Sequence, residues 1–102
     1  MMELETKDLK SIIKEGNYIL NFYSLSCETC KMLDKELKSI EKVPTIIKIQ
    51  IEKYPEIGKK YRIMPIPSLI FIKDGEEIDS LPGYHIKKEI EEKLLKYGVD
   101  YE

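Results

Sequence analysis

Tyr18-Ile19-Leu20-Asn21-Phe22-Tyr23 is aromatic, branched or aliphatic at every position but Asn21. A half-wet strand alternates apolar with polar residues, whereas a run that is apolar nearly throughout suits a central strand covered on both faces, as in a layered α/β sheet. Close behind it come the only two cysteines of the chain, in Cys27-Glu28-Thr29-Cys30, and then a helical pattern over Lys31 to Lys42. A thiol pair where a strand gives way to a helix is a redox signal. The bland alternative, half of a zinc site, would need two more ligands, and the chain offers only His85 and no further cysteine.

The 102 residues predict a single domain over 1–102, long enough to bury a core without help from a metal or disulfide. Seventeen basic and nineteen acidic side chains give a formal net charge of -2 and no concentrated basic face, which argues against nucleic acid or anionic lipid as partner. No apolar run approaches the roughly 20 residues of a membrane span. The opening Met-Met-Glu-Leu-Glu-Thr-Lys has neither a basic leader nor an apolar signal core, so a cytoplasmic location is expected. Thiols stay reduced there, and a lone pair serves catalysis or metal binding rather than a structural bridge.

Met2 and Leu4 alternate with Glu3 and Glu5 as in a short edge strand. Thr6 is placed as N-cap of a helix over Lys7 to Glu15, with Leu9, Ile12 and Ile13 on one face and Gly16 ending it. Beyond the cysteines, Met32, Leu33, Leu37 and Ile40 form an apolar stripe, and Pro44 marks that the helix has stopped. Thr45 to Ile51 sets Ile47, Ile49 and Ile51 on one strand face. A short helix opens at Pro55 and runs toward Tyr61, after which Met64-Pro65-Ile66-Pro67 must be a shaped loop. Ser68–Lys73, Asp74-Gly75 and Glu76–Leu81 spell a hairpin around a dipeptide that tolerates positive φ. Pro82-Gly83 turns the chain into a last helix, with Ile86, Ile90, Leu94 and Tyr97 at helical spacing and Gly98 at its end. The order β-α-β-α-β-α-β-β-α predicts a mixed sheet with parallel strands, a terminal antiparallel hairpin and helices on both faces.

That order, with the cysteines closing the second βα junction, resembles the thioredoxin family over essentially the whole chain. Phe22-Tyr23 to Cys30-Lys31 resembles the family's active-site segment. Ile66-Pro67-Ser68, about forty positions later, looks like its cis-proline segment, and Gly75 and Gly83 fall at its hairpin turn and before its last helix. The resemblance implies the thioredoxin fold and a protein-disulfide oxidoreductase that reduces disulfide-bearing proteins. It implies no bound cofactor, because the Cys27–Cys30 pair itself carries the electrons, no metal, a thioredoxin-reductase-like flavoprotein as donor, and action as a monomer. Two rivals remain: a glutaredoxin-like, glutathione-coupled reductase, and a non-enzymatic binding module that uses the pair as a redox-set clamp.

Cys27, at the helix N-terminus, is the expected nucleophile, since unpaired N–H groups and the dipole favour a thiolate there. Cys30, one turn further in, is the expected resolving thiol. The resemblance makes Ile66-Pro67 a cis peptide that offers the Ile66 backbone to an extended substrate, and implies that Pro67 keeps metal off the thiols; Pro65 reads as structural. Ser26 replaces the family's tryptophan, and Glu28-Thr29 replaces its usual Gly-Pro, so Ser26, Glu28 and Thr29 should shape the substrate surface, with apolar contact from Leu25, Ile66 and Tyr84. A carboxylate at Glu28 opposes thiolate formation at Cys27 while favouring the helix start. Lys48 alone reads as a solvated strand lysine, but in the resemblance it lies below the active site and biases proton transfer. Asn21 stands where the family has a buried aspartate, and an amide cannot take a proton there. Slower resolution by Cys30, or resolution needing higher pH, is therefore expected. His85 is expected at the surface, without a catalytic part.

Overall fold

The structure, a computed structural model, describes residues 1–97. Its elements follow the expected order: β1 (Met2–Glu3), α1 (Leu9–Ile12), β2 (Asn17–Tyr23), α2 (Glu28–Lys38), β3 (Thr45–Gln50), α3 (Pro55–Lys60), β4 (Ser68–Lys73), β5 (Glu76–Pro82) and α4 (Lys87–Lys96). One five-stranded sheet has the order β1-β3-β2-β4-β5. β1, β3 and β2 are mutually parallel, β4 runs antiparallel to β2, and β5 returns antiparallel to β4.

β2 lies at the centre, and its side chains alternate between two cores. Leu20 and Phe22 join Leu9 and Ile13 of the α1 segment, Ile47 and Ile49 of β3, and Tyr54 and Tyr61 at the ends of α3. Ile19 faces the other way, onto Leu33 and Leu37 of α2 and Ile90 and Leu94 of α4. Ile19, Leu20 and Phe22 have no exposed surface. The run's apolar character on both faces is thus explained by helices on both sides, as period-2 geometry requires.

Helix α1 is shorter than its periodicity predicts, and Asp8, not Thr6, caps it: the Ser11 N–H donates to Asp8 Oδ1 at 3.3 Å. Helix α2 begins three residues before the predicted Lys31, because the Cys27 sulfur occupies the N-cap role. It ends at Lys38 rather than Lys42, where the Ser39 hydroxyl turns back onto the Glu36 carbonyl at 2.6 Å. In its stripe Leu33, Leu37 and Ile40 are buried as expected, but Met32 is 48% exposed. Ile86 is likewise not core: it is the N-cap residue of α4 and largely exposed, while Ile90 and Leu94 carry that helix's contact. The expected stop at Gly98 lies outside the described residues.

The hairpin turn has positive φ at both central residues, 47° at Asp74 and 83° at Gly75, the geometry whose twist matches that of flanking strands. The turn also locks the start of β2. The Asp74 N–H donates to the Gly16 carbonyl at 2.8 Å, and the Gly16 N–H donates to Asp74 Oδ1 at 2.8 Å. At the other end of β4 the Gly83 N–H donates to the Pro67 carbonyl at 2.7 Å, tying the start of the α4 segment to the proline loop. Both Met64-Pro65 and Ile66-Pro67 are cis, the second as the resemblance implies and the first not foreseen.

Two substitutions test these assignments. Asp74→Ala removes the acceptor for Gly16 and forces an aliphatic residue into the left-handed region, so about 1–2 kcal/mol should be lost and the melting temperature should fall by about 5–10 °C. Asp74→Asn keeps a side-chain acceptor and a tolerated φ, and should lose less than half as much in the same thermal melts. In α2, Leu33→Ala should cost about 2–5 kcal/mol, and Met32→Ala about 0.5 kcal/mol or less; equal costs in denaturant titrations would contradict this helix phase.

Candidate active site

The loop between β2 and α2 is held before the thiols are reached. The Ser24 hydroxyl donates to Glu52 Oε2 at 2.6 Å and the Leu25 N–H reaches the same oxygen at 3.4 Å. The Ser24 hydroxyl is the main cause that holds the Glu52 carboxyl below its ordinary value. The Cys27 N–H then closes a turn onto the Ser24 carbonyl at 3.3 Å.

Cys27 is the N-cap of α2, with extended backbone, and joins Cys30 in a disulfide. Its Sγ accepts the Cys30 backbone N–H at 3.1 Å, the bond a serine or aspartate oxygen makes in an ordinary N-cap. The Thr29 hydroxyl lies 3.4 Å from the same sulfur and, since a disulfide sulfur has no proton, the hydroxyl is the donor. Two donors therefore converge where negative charge would develop on a Cys27 thiolate, in line with the helix dipole. Cys27 is half-buried, whereas Cys30 is only 4% exposed. The two sulfurs are unequally placed: Cys27 is partly open to solvent and Cys30 is enclosed.

Glu28 is solvated, with its side chain 84% exposed and its Oε1 3.5 Å from Lys31 Nζ. Ser26 and Leu25 are exposed on the approach to Cys27. Pro67 is buried and Ile66 half-buried. Register pairs Ser68 with Phe22, so the Ile66-Pro67 peptide lies at the sheet end where β2 delivers the cysteine loop. Tyr84 packs against the α2–α4 core, and burial is the first cause raising its phenol above the ordinary value. His85 is not a freely solvated residue: its Nε2 lies 2.9 Å from the Pro82 carbonyl and its Nδ1 3.3 Å from Glu89, fixing the start of α4. No group of three or more His, Cys, Asp or Glu side chains among the described residues could hold a metal ion.

Beneath the thiols the structure assembles a polar group that hydrophobic patterning did not reveal. Asn21 and Lys48 are direct partners across the β2–β3 register, so both side chains lie on the sheet face covered by α2. Asp34 comes down from α2 between them. Its Oδ1 accepts from Asn21 Nδ2 at 2.9 Å and its Oδ2 pairs with Lys48 Nζ at 2.7 Å. Asp34 and Lys48 are mostly buried, at 18% and 23% side-chain exposure, and Asn21 has no exposed surface. Lys48 Nζ also stands 4.4 Å from the centre of the Tyr23 ring. Lys48 is therefore a buried partner of a carboxylate rather than a solvated strand lysine. The available signal for Asp34 was its spacing: it follows Cys30 by four residues and shares that cysteine's helix face.

Comparison with known proteins agrees with this geometry. The thioredoxin family model matches residues 1–96. The thioredoxin of Staphylococcus epidermidis is 30% identical over 101 residues, covering 95% of this chain and 97% of its own, and that of Staphylococcus aureus is 29% identical with the same coverage. Among solved structures, reduced Schistosoma mansoni thioredoxin superposes with a TM-score of 0.81 at 27% identity, over 94% of this chain and 96% of that one. A mutant thioredoxin from Halobacterium salinarum reaches 0.83 at 17% identity, over 94% of this chain and 88% of its own, a likeness of fold alone. With its Cys27–Cys30 disulfide at the head of α2, the chain belongs to the thioredoxin family and is a thiol–disulfide oxidoreductase acting on protein disulfides.

Proposed function

We propose that this single domain works as a monomeric cytoplasmic reductant of protein disulfides, with Cys27 as attacking thiol and Cys30 as resolving thiol. The inequality of the two sulfurs carries the assignment: Cys27 is accessible and doubly hydrogen-bonded, and Cys30 is enclosed. The Cys27 thiolate attacks one sulfur of a client disulfide, a mixed disulfide forms, and the first client sulfur leaves as a thiolate that takes a proton from solvent. Cys30, after losing its proton, attacks Cys27 Sγ. The bond to the client breaks, the second client sulfur leaves and is protonated, and two electrons have passed from the dithiol to the client.

A client segment in extended form would lie along the Ile66-Pro67 peptide, using the Ile66 backbone as a short strand partner and Ser26, Glu28 and Thr29 as the surrounding surface. Exposed Leu25 supplies an apolar contact beside Cys27. No bound cofactor is required, since the disulfide is itself the electron store. A thioredoxin-reductase-like flavoprotein is the proposed donor that returns the pair to the dithiol. Full-length correspondence with the thioredoxin family favours this reading over a glutathione-coupled glutaredoxin-like one.

Cys30→Ser leaves Cys27 able to attack but unable to be released. Mixed disulfides with several client proteins should therefore accumulate in a reducing-agent-free extract and disappear with Cys27→Ser. An empty trap would reject the reductase reading, and a single client would favour the dedicated module. Redox poise is set by the donors to Cys27: Thr29→Val removes about 1 kcal/mol of hydrogen bonding, so the Cys27 pKa should rise by about half to one unit and the couple should become more reducing by about 10–20 mV. Glu28→Gln should move both quantities the opposite way and by less, because its carboxylate is solvated and faces Lys31. Iodoacetamide alkylation against pH and glutathione equilibration measure the two.

A further inference from the structure

The exchange reaction above, on which this inference rests, leaves one proton without a stated destination. A thiol as enclosed as Cys30 ionises reluctantly, because burial penalises the thiolate. Its proton must nevertheless leave before it can attack Cys27 Sγ. A cavity of about 150 Å³ is lined by both cysteines, and its polar walls are Tyr23, Ser24, Lys31, Asp34 and Lys48. That volume admits a few water molecules, each needing about 30 Å³. Tyr23 is no base: its hydroxyl donates to Glu3 at 2.8 Å, and burial with that bond pushes the phenol up to about 12. Lys31 and Lys48 are cations. Asp34 is the one carboxylate in the lining.

We propose that Asp34 is the proton acceptor for Cys30: its carboxylate, fixed by Asn21 and Lys48 at the wall of a cavity that both cysteines also line, takes the Cys30 proton through cavity water and returns it to the departing client sulfur. The S–H bond of Cys30 breaks, the Cys27–Cys30 bond forms, the Cys27–client bond breaks, and the proton ends on the client thiol, so no further reactant is needed. Each carboxylate oxygen receives one strong donor and keeps a lone pair for the cavity. Asp34 lies one helical turn beyond Cys30 on the same face of α2. Facing it are Asn21 and Tyr23 from β2, Lys48 from β3 and Lys31 from its own helix, with Glu3 of β1 reached through the Tyr23 hydroxyl. Asn21 therefore does not leave the site without a base. Its amide N–H anchors one, and the acid sits on the helix instead of the strand.

Stopped-flow mixing of the reduced protein with an excess of an aromatic disulfide reagent, whose released thiolate is coloured, separates the steps. A concentration-dependent phase reports attack by Cys27, and a concentration-independent phase reports resolution by Cys30. At neutral pH, Asp34→Asn should slow the second phase relative to the first by on the order of tenfold or more, and the deficit should close only as pH rises beyond the free-thiol value of about 8.5, by as much as enclosure holds the Cys30 proton. Asp34→Glu should restore most of the neutral-pH rate. Lys48→Met, which keeps the carboxylate but strips its ammonium, should move the midpoint of the second phase's pH dependence upward, and decides the matter alone if Asp34→Asn fails to fold. A second phase unchanged in Asp34→Asn, a deficit equal at every pH, or an unmoved midpoint in Lys48→Met overturns the proposal. Absence of the first phase in the wild-type protein would instead refute the exchange reaction itself.

Discussion

Strand β2 has neighbours on both edges and helices over both faces, so every side chain along it must match one of two interiors. Ile19, Leu20 and Phe22 satisfy that condition by being apolar. Asn21 meets it in part, its Nδ2 donating to Asp34 while its buried Oδ1 has no hydrogen-bond partner among the described residues, and the register of β3 then brings Lys48 alongside. A buried amide, carboxylate and ammonium are tolerable only as a group, because each alone would leave a desolvated donor or charge. The central strand's burial thus creates both the rigidity of the platform and the polar cluster under the thiols.

The head of α2 joins fold and chemistry in one atom. Where an ordinary helix would start on a serine or aspartate oxygen, this one starts on the Cys27 sulfur, and the N–H that satisfies the helix end is the one that would stabilise charge on the proposed nucleophile. Local structure and reactivity could not be separated by mutation at this position. Glu28, by contrast, belongs mainly to the surface: it lies in the first helical turn, where a carboxylate suits the dipole, and Lys31 shares its field.

Much of this was legible from residue pattern. The hairpin was marked by Asp74-Gly75, whose φ values are those the dipeptide tolerates, and the redox pair was marked by its place after a strand apolar at all but one position. The helix boundaries were less legible, because caps depend on which side chain reaches back: Asp8 in place of Thr6, and Cys27, which starts the helix at Glu28 instead of Lys31. Met32 and Ile86 fit a helical period but are left about half exposed, at 48% and 47%, a fact of tertiary packing that spacing cannot supply. Asp34 was hidden for a related reason. In a helix of alternating Lys and Glu an acidic residue reads as solvated, and only the sheet beneath it, with Asn21 and Lys48 side by side, makes it an interior group.

The bond from the Cys30 amide to the Cys27 sulfur has a use beyond holding a helix together. In the proposed cycle its acceptor is the atom whose covalent state changes at every step: thiolate, mixed disulfide, internal disulfide. The electron density offered to that one amide proton changes with it. The Cys30 N–H is therefore a built-in spectroscopic reporter, whose chemical shift and exchange rate follow turnover from inside the protein without a label or a coloured substrate.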